Sequence, residues 1–197
     1  MLIGLDLDNT IVSYDRLFFR LAEERGLLTS GVPPTKSGVK AYLCGAGREA
    51  EWTALQGLAY GPRMNEADPF PGVHGFIRRC ADAGTRVVIV SHKTRHPFVG
   101  PAYDLHDAAR NYLAEHGLEF EHVYLELSKS AKIDRIRSLG CDYFVDDLPD
   151  ILGDPEFPGD TRRVLFDPAG TQASEPDWLV AHSWDELGDT LLSGAVA

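Results

Sequence analysis

Five short apolar segments recur along this chain: Leu2–Leu7, Arg86–Val90, His122–Leu127, Cys141–Val145 and Arg163–Phe166. They are rich in β-branched or aromatic residues and lack the in–out alternation of a half-exposed strand. That pattern fits strands covered on both faces. Helical patterns lie between most of them. Val73–Ala83 stops at Gly84. Asp104–His116 carries Leu105, Ala108, Ala109, Tyr112 and Leu113 on one side and stops at Gly117. Lys129–Leu139 turns Ile133 and Ile136 inward and stops at Gly140. Strands alternating with helices predict an α/β fold built on a doubly wound, Rossmann-like parallel sheet.

One stretch breaks this rhythm. From Ser13 to Asp68 the patterns are helical: Tyr14–Leu28, with Leu17, Phe18, Leu21 and Ala22 on one face, then Lys36–Leu43 and Arg48–Tyr60. The expected organisation is a sheet domain of residues 1–12 and 70–197, with residues 13–69 inserted as a small all-helical cap. Trp52 and Tyr60 read as cap core, and Lys36, Lys40, Arg48 and Arg63 as its solvated face. Residues Trp184–Ala197 read as a closing helix with a frayed end. The connection Arg95–Tyr103 is long for a strand-to-helix loop and is expected to wall a ligand pocket.

Composition narrows the partners. A net charge of −11 argues against nucleic acid or an anionic membrane. No apolar stretch reaches the length of a membrane span, and the N-terminus lacks a basic region before its apolar run. Cys44, Cys80 and Cys141 are scattered and odd in number, which suggests small buried hydrophobes in a reducing compartment, the cytoplasm by default.

Ligands of open α/β sheets bind at the carboxyl ends of the strands. Here those ends deliver Asp6-Leu-Asp8-Asn-Thr10, Ser91-His92-Lys93-Thr94, Ser128-Lys129 and Asp146-Asp147-Leu-Pro-Asp150. Asp6 and Asp8 stand one residue apart at a strand end, and adjacent carboxylates resist burial unless a cation lies between them. Carboxylates, a hydroxyl and a lysine at one edge complement a magnesium ion with a phosphoryl group. A carboxylate can attack phosphorus, and a second one two residues on can protonate the leaving alcohol. Asp150 reads equally as metal support or as a cap of the following turn.

These motifs, in this order, resemble those of the haloacid dehalogenase-like (HAD) hydrolases. Asp6-Leu-Asp8-Asn-Thr10 is similar to their first signature, Val87–Ser91 to the second, Lys129 or Lys132 to the third, and Asp146-Asp147 to the fourth. The resemblance implies a nucleophile at Asp6 and a general acid/base at Asp8. It implies phosphate binding by Ser91, the His92 backbone N–H and a lysine, for which Lys129 is favoured because it opens the helix. The resemblance also implies magnesium on Asp6, the Asp8 backbone carbonyl and Asp147, with Asp146 acting directly or through water. Dehalogenases of this family lack the second aspartate of the first motif, so Asp8 points to phosphoryl chemistry. The function so implied is a magnesium-dependent phosphatase acting through an aspartyl-phosphate on a small phosphate ester, such as a sugar phosphate or a nucleotide. A phosphomutase and a non-catalytic binder of phosphorylated ligands are the alternatives.

Overall fold

The computed structural model describes residues 1–192, and the chain forms two compact units. The first comprises Met1–Ile11, Pro69–His92 and the chain from Glu119 onward. Its sheet contains β1 (Leu2–Leu5), β4 (Arg86–His92), β5 (Val123–Glu126), β6 (Tyr143–Asp146), β7 (Arg162–Phe166) and β8 (Leu179–Ala181). All six strands are parallel, in the order β5-β4-β1-β6-β7-β8. The five predicted strands are present. Leu179–Ala181 carries no strand signal in the sequence, because three residues are too short to show a period. Two further strands, β2 (Val12–Ser13) and β3 (Asp68–Pro69), pair where the chain leaves this unit and returns.

Helices α4 (Val73–Asp82), α6 (Lys129–Leu139), the single turn α7 (Pro149–Leu152) and α8 (Trp184–Leu192) complete the unit. The closing helix is seen to Leu192; the remainder of its expected span lies outside the described residues. One face of the sheet meets α6 and α7 through Leu2, Val88, Val90, Phe144, Leu165, Ile136, Ile151 and Leu152, all buried. Elsewhere Trp184 packs on Phe76 and Phe166, with ring centroids at 5.0 and 5.4 Å.

Gly4 belongs to this packing. It pairs with Phe144 across the β1–β6 ladder, and a Cβ on it would lie 2.6 Å from Phe144 Cδ2 and 3.1 Å from Cys141 Sγ. Backbone entropy favours alanine by roughly 0.5–1 kcal/mol, but overpacking a tight core costs about 1–3 kcal/mol. Gly4→Ala is therefore expected to destabilise the fold by up to about 2 kcal/mol, read as a lower urea midpoint in a two-state melt.

The second unit comprises Val12–Asp68 and Lys93–Leu118. It holds α1 (Asp15–Glu24), α2 (Lys36–Gly45), α3 (Glu49–Ala59), a 3-10 turn at Met64–Glu66, and α5 (Leu105–Glu115). Thr35 caps α2 by accepting from Gly38 N at 3.0 Å, and Asp104 caps α5 by accepting from the His106 and Asp107 amides. Phe18 stacks on the buried Trp52 at 4.8 Å. Arg63 pairs with Glu24 and Glu66, and Arg48 with Glu51.

This unit is larger than the expected cap of residues 13–69. Lys93–Leu118 joins it, whereas the sequence pattern assigns this stretch to the sheet domain. The reason lies in packing. Beside Gly61 stand Leu105 and Tyr103, Pro97 and Val99 stand beside Gly57, and His116 bonds the Asn65 carbonyl. The long loop before α5 thus lies against α3. Lys93, which follows β4, is buried with its ammonium 5.0 Å from the Tyr60 ring centre.

Candidate active site

In the sheet order, β1 has β4 on one side and β6 on the other, the point where the winding reverses. Crevices at such points, beyond the strand carboxyl ends, are where ligands bind. Gly4 faces Phe144 and Leu5 faces Val145, so the next residues, Asp6 and Asp146, come abreast. The amide of Asp6 still donates to Val145 O at 2.9 Å. Alternation places Asp6 on the same side of the sheet as Leu2 and Gly4, the side covered by α6. Beyond it the chain turns sharply: Asn9 adopts φ +62° and Ile11 N donates to Leu7 O. Asparagine tolerates that left-handed conformation better than most residues.

Lys132 rises from α6 between the two carboxylates. Its Nζ lies 2.6 Å from Asp6 Oδ1 and 2.6 Å from Asp146 Oδ2, with all three residues buried. Asp146 Oδ1 also accepts from Leu148 N at 2.9 Å, so both its oxygens are engaged. Asp147 completes the group: one carboxylate oxygen each from Asp6, Asp146 and Asp147 lies within 4.8 Å of the others.

Lys132 corrects the expectation of Lys129. Lys129, whose side chain is 41% exposed, pairs instead with Asp154 at 2.8 Å. Helical side chains lean toward the helix N-terminus. From one turn into α6, Lys132 therefore reaches back to the strand ends, whereas Lys129 at the first position leans past them. Ser128 already satisfies the helix start, accepting from Ala131 N at 3.1 Å.

The other expected residues are placed as follows. Ser91 is buried within β4, which runs on to His92, so neither residue lies in a loop. His92 is exposed. Asp8 is partly buried, and its charge acts on Asp6. Asp150 sits exposed in the first turn of α7, outside the carboxylate group; Leu148 holds the N-cap position and α7 has no side-chain cap hydrogen bond, so neither expected role of Asp150 is seen.

Electrostatics mark Asp6 as the strained member. Burial pushes its carboxyl up, Lys132 opposes this, and Asp146 and Asp8 push it further, to about 6. For Lys132, burial disfavours the charge, but Asp146 and Asp6 outweigh it and hold the ammonium above its ordinary range.

The donors are all oxygens and include no cysteine or histidine, which fits a hard divalent cation such as magnesium. Four carboxylates stand near one ammonium; burial is the main reason that Asp6 lies high, and the neighbouring charges of Asp146 and Asp8 add to it. Asp6 and Asp147 could hold the ion, with Asp146 occupied in fixing Lys132. An acid raised above its unfolded value stabilises the fold below about pH 4 and loses that contribution as pH rises through about 6. Without metal, wild type is therefore expected to lose stability relative to Asp6→Asn between pH 4 and 7, by a few kcal/mol. Millimolar magnesium should reverse the loss in wild type only, as read from paired urea melts with and without EDTA.

The fold is that of the HAD-like hydrolases. A HAD-superfamily hydrolase from Ehrlichia chaffeensis superposes with TM-score 0.59 at 12% identity, covering 99% of this chain and 97% of that one. A predicted phosphatase from Clostridium acetobutylicum gives 0.57 at 14%, covering 98% of each chain. A dehalogenase gives 0.62 at 13%, covering 96% of each. At such identities the likeness concerns the fold alone. No protein family and no curated protein sequence matches the chain. Among the described residues, no helix is long and apolar enough to cross a membrane.

Proposed function

We propose that the protein is a magnesium-dependent phosphatase that hydrolyses a small phosphate monoester through an aspartyl-phosphate on Asp6. The observation that carries this reading is the buried Asp6–Lys132–Asp146 bridge at the switch point, with Asp147 beside it and Asp8 two residues from Asp6. A lysine has three donors. Two are used on Asp6 and Asp146, which leaves one for a phosphoryl oxygen.

The chain's own groups account for the steps. An Asp6 carboxylate oxygen attacks phosphorus while the bond to the leaving alcohol breaks and Asp8 gives that alcohol its proton. Water then attacks the same phosphorus, Asp8 takes its proton, and the acyl–phosphate bond breaks to release inorganic phosphate and restore Asp6. Lys132 balances charge on the phosphoryl oxygens throughout. Bound magnesium, held by Asp6 and Asp147 with the Asp8 carbonyl, would neutralise the phosphoryl dianion as the carboxylate approaches. A small soluble metabolite in the cytoplasm is the setting proposed.

Asp8 separates this reading from dehalogenation, which needs no such acid at that position. The test is phosphate release from para-nitrophenyl phosphate, with and without magnesium, beside halide release from 2-chloropropionate. Magnesium-dependent phosphate release without halide release is expected. Halide release alone would overturn the reading.

A further inference from the structure

His92 ends β4, opposite Glu126 of β5, on the sheet edge that carries Asp6 and Asp146. Its exposed imidazole hydrogen-bonds the backbone carbonyl of Leu127. That bond commits one ring nitrogen as a donor, and in the neutral ring the other nitrogen carries a lone pair. The Lys132 charge is close enough to act on the ring, yet that ammonium is engaged with Asp6 and Asp146. Partial desolvation against the sheet edge and then the Lys132 charge lower the histidine pKa, which favours the neutral ring at pH 7. Two exposed apolar side chains share this edge. Leu127, to which His92 is tied, is 62% exposed; Leu148, whose amide is held by Asp146, is 49% exposed.

Resting on the phosphatase reading, we propose that His92 determines specificity by accepting a hydrogen bond from a hydroxyl on the organic part of the substrate. Leu127, which follows the neighbouring strand β5, lies beside the carbon skeleton. The substrate class is then a phosphate monoester of an uncharged, hydroxyl-bearing alcohol. A second anionic group is disfavoured, because a carboxylate has no proton to offer the ring nitrogen and loses hydration beside leucine.

2-Hydroxypropyl phosphate and propyl phosphate differ by one hydroxyl, which makes their kcat/KM ratio the readout, measured on the full chain with magnesium. Wild type should prefer the hydroxylated ester by about tenfold. The preference should shrink to about twofold or less in His92→Ala and survive in His92→Gln, whose amide both donates to Leu127 and accepts from the hydroxyl. 2-Carboxyethyl phosphate should be the slowest of the three. No preference in wild type, a preference unchanged in His92→Ala, or faster turnover of the carboxylated ester overturns the inference and leaves the phosphatase reading standing. Absence of phosphate release from every ester, para-nitrophenyl phosphate included, overturns both.

Discussion

Lys132→Met is expected to destabilise the protein by about 3–5 kcal/mol at pH 7, the cost of leaving buried carboxylates without their cation. Asp6 and Asp146 are buried, and Lys132 is the ammonium that bridges them at 2.6 Å each. Methionine keeps most of the volume, so lost packing contributes little and the penalty is electrostatic. The sign of its pH dependence follows. Protonating Asp6, whose carboxyl lies near 6, removes part of the uncompensated charge, so the deficit should shrink as pH falls toward 5. Lys129→Met is the control. Its pair with Asp154 is partly exposed, and such pairs contribute about 0–1 kcal/mol. Urea melts of both variants at two pH values decide the matter; equal losses at 129 and 132 would reverse the assignment of the lysine.

The second large effect concerns chemistry rather than stability. Asp6→Asn should abolish phosphate release, with kcat falling at least about 10³-fold, because an amide oxygen does not form the acyl phosphate. The fold should persist, since the substitution removes one of several crowded negative charges and Asp146 still holds Lys132. Asp8→Asn should cost about 10²–10⁴-fold through loss of general acid/base help. The two variants differ in single-turnover experiments. Asp8→Asn should still form phospho-enzyme with an activated ester such as para-nitrophenyl phosphate, whose leaving group needs little protonation, whereas Asp6→Asn should form none. Labelled phosphate retained on Asp6→Asn after denaturation would place the nucleophile elsewhere.

Much of this was legible along the chain. Leu2–Leu7, Arg86–Val90 and Cys141–Val145 read as buried strands because each is short, apolar and poor in alternation, and β1, β4 and β6 lie there. The aspartates at the ends of β1 and β6 were legible for the same reason, since charge at the close of an apolar run marks the strand's exit. The α6 stripe was less informative. Lys129, Lys132, Ile133 and Ile136 all fall within one helical face, so periodicity alone does not choose between the lysines. Nor does it show that Lys93–Leu118 packs with the inserted helices, because an amphipathic helix advertises an apolar face without naming its partner.

Local residue order by itself determined the parallel α/β class, the helical insertion and the acidic strand ends, because side-chain spacing sets which face each element buries. The tertiary structure alone decided that Lys132 and not Lys129 meets Asp6, that Asp146 is committed to that lysine, and that α5 packs with the inserted helices. Those outcomes depend on how far a side chain reaches across the gap between a helix and the sheet. That gap is set by the packed core between α6 and the sheet and not by any period in the chain.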